Sequence, residues 1–356
     1  MSHIEILSAD QTSRWRDKLA QAGVSDVFFF PEYAQTFDNV DGGTPHLFVY
    51  EQGDISLVYP FRLLPLPEAE PFEEFSGWCD ITSDYGYGGP VISAPGGEAP
   101  SDFIRDAART FDTFCAERRV ISEFCRFHPL LGNALYPNSA YQPIFSNQTV
   151  WADLTLPEAD FLRQIRKGYR YDIRKAEKIG VEVEVCNAET CVDPFHALYI
   201  QTMRDVDADS YYFFNKAFFR DTLRLLENHA AAFLAHYQGE VIAGAFYIWG
   251  KELLHYYFSG MNRQYSHVGA NKLLLYKAMM WGRKKGLKKL HLGGGVGSSD
   301  TDSLMRFKAG FSKQRAEFHV AGRIHDHEVY ETLCRRTRTD PDAEPFFPAY
   351  RAMHRR

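Results

Sequence analysis

The hydrophobic and polar positions follow the same order of predicted elements in each half of the chain. In the first half, HLFVYEQGDISLVYPFRLLPL contains two apolar runs around Gln52-Gly53-Asp54, which is the pattern of a β-hairpin. A glycine-rich loop follows, then SDFIRDAARTFDTFCAERR, whose apolar residues recur at helical spacing, and then the strand VISEFCRF. We expect Ser101 or Asp102 to cap this helix.

The second half repeats that order. AAFLAHYQGEVIAGAFYIWGKELLHYYFSGM predicts three strands with turns at Gln238-Gly239 and Gly250-Lys251. The helix NKLLLYKAMMWGRKKG follows, ended by Gly286, and LKKLHL is the next strand. Because only the pattern repeats, we predict an α/β chain of two similar mixed-sheet (α+β) units with a cleft between them. One larger mixed sheet is the alternative.

The segment PEADFLRQIRKGYRYDIRKAEKIGVEVEV lies between the halves. Gly168 weakens its helical pattern by about 1 kcal/mol relative to alanine, so two short helices are an alternative to one. We place an N-terminal domain at 1–150, a C-terminal domain at 151–325 and a basic tail at 326–356, in which FFPAY is a candidate docking segment. The apolar stripe that predicts helix consists of Phe161, Leu162, Ile165, Tyr169, Ile173 and Ala176.

Composition narrows the class of protein. The 356 residues are 45% hydrophobic and 24% charged with a net charge of −6, which is globular rather than disordered usage. The first residues, MSHIEILSAD, do not resemble a signal peptide, and no apolar run reaches the roughly 20 residues of a membrane span. We therefore expect a cytoplasmic protein. Cys186 and Cys191 lack a second pair or a histidine set, so no metal site is predicted.

The middle segment is also strongly basic. Arg170, Arg174 and Lys178 recur at i, i+4 and i+8, so they share one helix face that suits a pyrophosphate or an RNA backbone. A solvated helix face is the other interpretation. The cations of the segment are Arg163, Arg166, Lys167, Arg170, Arg174, Lys175 and Lys178, opposed by Asp172 and Glu177.

The loop RQYSHVGAN precedes the C-terminal helix, whose first N–H groups favour an anion. Acyl-coenzyme A transferases of the N-acetyltransferase superfamily carry Arg/Gln-x-x-Gly-x-Gly/Ala at this place. If Ala270 is the last position, this chain has Tyr265 in place of Arg or Gln and Val268 in place of Gly. The departure disfavours ordinary acetyl-coenzyme A binding.

Two glycine-rich stretches are candidate site elements. In DYGYGGP the glycines allow close backbone approach, and Tyr85 and Tyr87 can cover a ligand; a tight turn between domains is the alternative. In HLGGGVGSSDTDSLMRFKAGF, three glycines follow a strand and can form a moving lid. Lys308 stands between Phe307 and Phe311. Either its stem packs and its ammonium reaches water, or the ammonium meets an oxyanion or a phosphate.

Other catalytic patterns do not stand out. The sequence has no Ser-His-Asp set at informative spacing, no Walker loop and no HExxH. At most one of the histidines near strand ends is expected to work as an acid or base. The candidates are His128, His255, His267 and His291.

Taken in order, RYDIRKAEKIGVEVEV, GANKLLLYKAMMWGRKKG and HLGGG…SLMRFKAGF resemble the FemABX-type transferases, the two-domain relatives of the N-acetyltransferase superfamily. DYGYGGP and CRFHPLLGN fit the stand-alone bacterial members. The resemblance implies a bipartite fold of tandem N-acetyltransferase-like domains and transfer of an acyl group, often an aminoacyl group from aminoacyl-tRNA, to an amine. It places the family lysine of Phe-Lys-x-Gly-Phe at Lys308. This chain lacks the coiled-coil arm of many peptidoglycan members, which puts a peptidoglycan substrate in doubt.

Three functions remain open. The first is transfer from aminoacyl-tRNA to an amine of a cell-wall precursor, surface glycan or small metabolite. The second uses acyl-coenzyme A or an acyl-carrier protein, and the third is a non-catalytic module that binds RNA or polysaccharide. No cofactor is expected to bind tightly, since the acyl donor is a cosubstrate, and transient contact with a membrane surface stays open.

Candidate site residues follow from these hypotheses. The candidate catalytic residues are Lys308, Tyr256 and Tyr212. The candidate binding residues are Tyr85, Tyr87, Gly88, Arg126, His128, Arg170, Arg174, Arg204, Tyr257, Ser259, Asn271, Gly294 and Phe307.

Overall fold

The computed structural model describes residues 2–135, 141–295 and 302–355, with side chains to residue 352. Within these ranges the strands are β1 (Ser2–Ser8), β2 (Thr44–Gln52), β3 (Ile55–Pro65), β4 (Cys79–Thr82), β5 (Val91–Ser93), β6 (Val120–Arg126), β7 (Ile144–Asp153), β8 (Glu182–Cys186), β9 (Ala230–Tyr237), β10 (Glu240–Trp249), β11 (Leu253–Met261), β12 (Lys289–Gly293) and β13 (Gln314–Ile324).

The α-helices of the same ranges are α1 (Thr12–Gln21), α2 (Pro31–Gln35), α3 (Ser101–Glu117), α4 (Glu158–Gln164), α5 (Lys167–Lys178), α6 (Val192–Asp205), α7 (Lys216–Leu226), α8 (Ala270–Lys284), α9 (Ser303–Lys308) and α10 (His327–Thr337). Short 3-10 turns connect several of them, including Ser210–Tyr212 and Arg263–Val268. No helix of the described residues is both long and apolar enough to cross a membrane.

The chain divides into two compact units, and unit 1 comprises 1–24, 28–146 and 318–356. Its strands lie in the order β1, β2, β3, β4, β6 and β13, all antiparallel except for the parallel pair β4 and β6, and β5 pairs with β3. Helix α3 covers one face and buries Phe103, Ala107 and Phe111. The predicted hairpin at Gln52-Gly53-Asp54 is confirmed by the β2–β3 pairing.

Unit 2 comprises 25–27 and 147–317. Its strands lie in the order β7, β12, β11, β10, β9 and β8, again antiparallel except for one pair, β11 with β12. Helix α8 connects these two parallel strands and buries Leu273, Leu275 and Ala278 at zero exposure. Each unit thus has the same strand order and one crossover helix, which confirms the predicted mixed α/β class. The cleft between units stays a prediction.

The structure differs from the predicted domain boundaries. Residue 150 falls inside β7, which supplies a strand to unit 2 from 147 onward. Residues 326–356, predicted as a separate tail, belong to unit 1, where α10 and the FFPAY segment pack around Tyr330, Phe347 and Tyr350. The separate tail is therefore wrong, because its apolar side chains have a core to join.

Three local predictions concern helix ends. The break that Gly168 suggested does occur, but it lies at Ile165–Arg166, and Gly168 falls in the first turn of α5. The predicted cap of α3 is wrong, because the extended Pro100 precedes a helix that already starts at Ser101. Gly286 follows α8 with a φ of +80°, as a helix stop requires.

Candidate active site

Lys308 is a buried cation at the end of α9. Its side chain is 7% exposed and its Nζ donates a hydrogen bond to the Gly294 carbonyl oxygen at 2.6 Å. Asp302 caps α9 by accepting from the backbone N–H of Leu304 at 2.7 Å. Burial lowers the pKa of Lys308 to about 8, and the Asp302 carboxylate opposes this shift. An ammonium held out of water interacts strongly with any negative charge that develops near it.

The Phe-Lys-x-Gly-Phe motif is fixed against α5. A Cβ at Gly310 would lie 2.0 Å from the Tyr169 ring, so only glycine lets α5 approach this closely. The backbone N–H of Arg166 donates to the Gly310 carbonyl at 2.8 Å, and the rings of Tyr169 and Phe311 lie 5.2 Å apart. Phe307, half-buried, packs on Tyr169 at 6.1 Å. The start of α5 and the Phe-Lys-x-Gly-Phe motif are therefore in direct contact.

Strand β11 carries Tyr256, whose ring lies near Lys308. It pairs with β12 only from Leu253 to His255, although it continues to Met261. A bulge at Tyr257 interrupts its pairing with β10. The Tyr256 ring lies 6.0 Å from Lys308 Nζ. Burial raises the pKa of Tyr256 to about 12, opposed by a hydrogen bond with Ser259, so near neutral pH Tyr256 is a phenol that can donate a proton.

Two other predicted residues belong to the surroundings of α6. Tyr212 is 38% exposed, and its backbone carbonyl accepts a hydrogen bond from the Tyr199 hydroxyl at 2.5 Å. Arg204 is exposed near the end of α6. These contacts tie Tyr212 to α6, and its catalytic role stays a prediction.

The outward face of α5 is cationic because its acids are engaged elsewhere. Asp172 pairs with Lys272 and Glu177 pairs with Lys277 at 2.6 Å, both lysines standing on α8. Arg174, Lys175 and Lys178 are exposed, and so is Tyr171, at 68%. The Arg170 Nε is buried and has no hydrogen-bond partner within the described ranges. The arrangement combines exposed cations with an exposed aromatic ring, a combination that also occurs in proteins that bind single-stranded nucleic acids.

The start of α8 is formed as predicted, but one predicted binding residue is engaged internally. Gly269 adopts a φ of +81° and leads into α8 without a side-chain cap. Asn271, in the first turn, has its Nδ2 2.9 Å from the Met261 Sδ. Its contact fixes the end of β11 to α8.

Five predicted binding residues lie in unit 1 and hold the DYGYGGP loop as a fixed turn. The backbone N–H of Gly88 donates to the Arg126 carbonyl at 2.7 Å, and the Arg126 guanidinium donates to the Ser83 carbonyl at 3.1 Å. The His128 Nδ1 accepts from the backbone N–H of Leu130 at 3.2 Å.

The tyrosines of this loop are held in the same way. The Tyr85 carbonyl accepts a hydrogen bond from the Tyr33 hydroxyl. Tyr87 packs on Phe28, His128 and Phe318, and burial raises its pKa. These contacts are those of a structural turn, so ligand binding by this set stays a prediction.

Two predicted acid–base candidates form a buried polar group. The His255 Nε2 lies 2.8 Å from an Asp26 carboxylate oxygen, and its Nδ1 lies 3.4 Å from the Nδ1 of His291. All three side chains are at most 4% exposed. Because side chains alternate along β11, His255 and Tyr256 point to opposite faces of the sheet. His255 therefore faces away from the tyrosine that lies near Lys308.

Sequence reasoning missed several polar residues of unit 2. Tyr247 on β10 is fully buried beside Tyr256, and its hydroxyl has no hydrogen-bond partner in the described part of the chain. The Asn147 Oδ1 on β7 is likewise buried without one among the described residues. A single asparagine or tyrosine in a strand gives no periodic signal, so only the fold reveals these positions. Residues 296–301 of the predicted glycine lid lie outside the described residues.

Comparisons with known proteins agree with this architecture. Residues 163–308 match the acetyltransferase (GNAT) domain family. The fold is similar to that of FemX, with a TM-score of 0.70 and 12% identity over 93% of this chain and 99% of that one. It is also similar to a C-terminal domain assigned to a lysylphosphatidylglycerol synthetase of Agrobacterium fabrum (TM-score 0.54, 12% identity, 92% and 95% covered). A third neighbour is L-PGS from Bacillus licheniformis (TM-score 0.53, 12% identity, 92% and 95% covered). No curated protein matches the sequence.

Proposed function

We propose that this chain, whose residues 163–308 match the acetyltransferase (GNAT) domain family and whose fold is similar to that of FemX, is an acyltransferase of the FemABX-like type that moves an aminoacyl group from aminoacyl-tRNA to an amine. The proposed acceptors are a cell-wall precursor, a surface glycan or a small metabolite. The observation that carries the proposal is the contact of Tyr169 on α5 with Gly310 next to Lys308. Through it, the helix that carries the cationic face packs against the motif that carries Lys308.

The proposed step is aminolysis of an ester. The acceptor nitrogen attacks the carbonyl carbon, a C–N bond forms, and the C–O bond to the ribose breaks. The proton lost by the amine passes through water to the leaving ribose oxygen. The carbonyl oxygen carries negative charge between attack and departure, and the Lys308 ammonium stabilises it. The Tyr256 phenol is a candidate second donor.

The test of this proposal uses the full chain with bulk charged tRNA as donor. Three amines serve as acceptors: a UDP-linked muramyl pentapeptide, glucosamine and glycinamide. We expect acceptor-dependent deacylation and an aminoacylated amine, measured by mass spectrometry. Intact charged tRNA with all three acceptors would reject the proposal.

Charge removal on α5 tests the RNA contact. The variant Arg174→Gln with Lys178→Gln is expected to weaken tRNA binding and to reduce the slope of log affinity against log salt by about 0.7–0.9 per lost phosphate contact. Lys284→Gln, an exposed cation at the end of α8, is the control. Binding isotherms at several salt concentrations measure the slopes. Equal slopes for the double variant and the control would remove α5 from the RNA contact.

A second candidate donor is acyl-coenzyme A or an acyl-carrier protein. The GNAT match and the uncapped start of α8 after Gly269 favour it, whereas Tyr265 and Val268 depart from the pyrophosphate-binding pattern. A thermal-shift titration with coenzyme A distinguishes the donors, since a ligand at 100 times its Kd adds about 2.7 kcal/mol of stability. RNA binding without turnover of either donor would instead favour the non-catalytic module.

A further inference from the structure

Oxygen atoms gather around Gly294, the residue whose carbonyl accepts the hydrogen bond of Lys308. A Cβ at Gly294 would lie 2.8 Å from the Asn147 Oδ1 and 3.3 Å from the Gln148 carbonyl oxygen. Both oxygens belong to β7, which pairs with the neighbouring β12. Only glycine tolerates this approach, so the two oxygens lie directly against the backbone that follows β12, beside the carbonyl that accepts from Lys308.

The Asn147 oxygen has unused hydrogen-bonding capacity. It is buried and has no hydrogen-bond partner among the residues that the structure describes. A buried polar atom left without a partner costs free energy, so such atoms in native proteins call for an explanation. A ligand that donates a hydrogen bond at this point removes that cost.

We propose that the Asn147 carboxamide oxygen, with the Gln148 carbonyl beside it, binds the amine of the acyl acceptor next to Gly294 and Lys308. The inference rests on the proposed function and names a residue of its acceptor site. Carbonyl-type oxygens repel phosphates and carboxylates, so this place takes the N–H-bearing end of a substrate rather than an anionic group.

The Lys308 ammonium affects the protonation of an amine bound at Asn147. An acceptor amine reaches the protein largely protonated and must lose a proton before it can attack. The Lys308 ammonium disfavours a second positive charge close to it. An amine held at Asn147 is thereby shifted toward its neutral, nucleophilic form, with its proton going to water.

The experiment compares Asn147→Leu with Asn187→Leu, the same substitution at an exposed asparagine just after β8. Leucine at position 147 removes the acceptor oxygen, and Asn187→Leu is the matched control. Transfer from bulk charged tRNA is measured with whichever of the three amines the wild-type protein uses. We expect Asn147→Leu to raise the acceptor KM about 10- to 100-fold with the donor KM unchanged. Asn187→Leu should stay within about threefold of wild type.

The outcomes separate the two proposals. Failure of the wild-type protein to deacylate charged tRNA rejects the proposed function, whereas wild-type turnover with an unchanged acceptor KM in Asn147→Leu rejects the role of Asn147. Equal increases in donor and acceptor KM would also reject it, since they indicate a general disturbance of the site. If the leucine variant does not fold, as judged by its thermal transition, Asn147→Ser provides the same comparison with a smaller side chain.

Discussion

Replacing Lys308 by methionine is expected to lower the rate of acyl transfer about 10²- to 10³-fold, the usual cost of losing one donor to a developing oxyanion. Methionine has a similar length and volume, so the surrounding packing is kept. Single-turnover acyl transfer from charged tRNA measures the effect without product release. Lys313→Met, an exposed lysine five residues along the chain, is the control. An unchanged single-turnover rate would exclude Lys308 from the chemistry.

The same substitution is expected to stabilise the protein near neutral pH. The pKa of Lys308 falls from 10.5 to about 8 because burial disfavours its charged form. At about 1.4 kcal/mol per pKa unit, the charged lysine destabilises the folded state by on the order of 3 kcal/mol. Replacing it removes this cost, and the loss of the hydrogen bond to Gly294 offsets part of the stabilisation. We expect an increase in the free energy of unfolding of about 1–3 kcal/mol.

The sign of the pH dependence follows from the direction of the shift. Between about pH 8 and pH 10.5 the unfolded chain holds a proton on Lys308 that the folded protein has lost, so stability rises with pH across this window. Urea unfolding should therefore show that the free energy of unfolding of the wild-type protein is higher near pH 10 than at neutral pH. The Lys308→Met variant should lack this increase. Activity should fall over the same window if the ammonium is the active form.

The local pattern of residues was sufficient to predict an element when the residues that define it lie close together in sequence. The β2–β3 hairpin has its turn residues between its two strands, and α8 has its stop at Gly286. Strands β7 and β13 pair with β12 and β6, which are distant in sequence, and the alternation within a strand does not identify its partner. That is why the predicted boundary near 150 falls inside a strand.

The candidate site could likewise be predicted only in part from the sequence. The family resemblance of the Phe-Lys-x-Gly-Phe motif pointed to Lys308, whereas the residue pattern alone left a packed lysine with its ammonium in water as an alternative. The sequence does not indicate that the Tyr169 ring packs directly on Gly310. Nor does it indicate that Asn147, on a different strand, contacts Gly294. Such relations arise only when elements from separate segments pack, and they determine which polar groups lack partners.

Replacing Gly310 by alanine is expected to lower the free energy of unfolding by about 1–3 kcal/mol, because the added methyl group would lie 2.0 Å from the Tyr169 ring. Either the ring or the end of α9 must move, so acyl transfer should fall as well. Gly168→Ala is the matched control on the same helix as Tyr169. Its added Cβ meets nothing within 4 Å, and we expect a gain of up to about 1 kcal/mol.

The origin of the effect is tested by a double-mutant cycle with Tyr169→Ala, using urea unfolding and single-turnover transfer. Removing the ring costs packing on Phe311 and Phe307 but also removes the clash, so the double variant should be more stable than the sum of the single effects predicts. Coupling of about 1 kcal/mol or more in this direction indicates that the glycine is required for the contact between α5 and the lysine motif. Additive effects would show that the two residues act independently, and the contact on which the proposed function rests would lose its support.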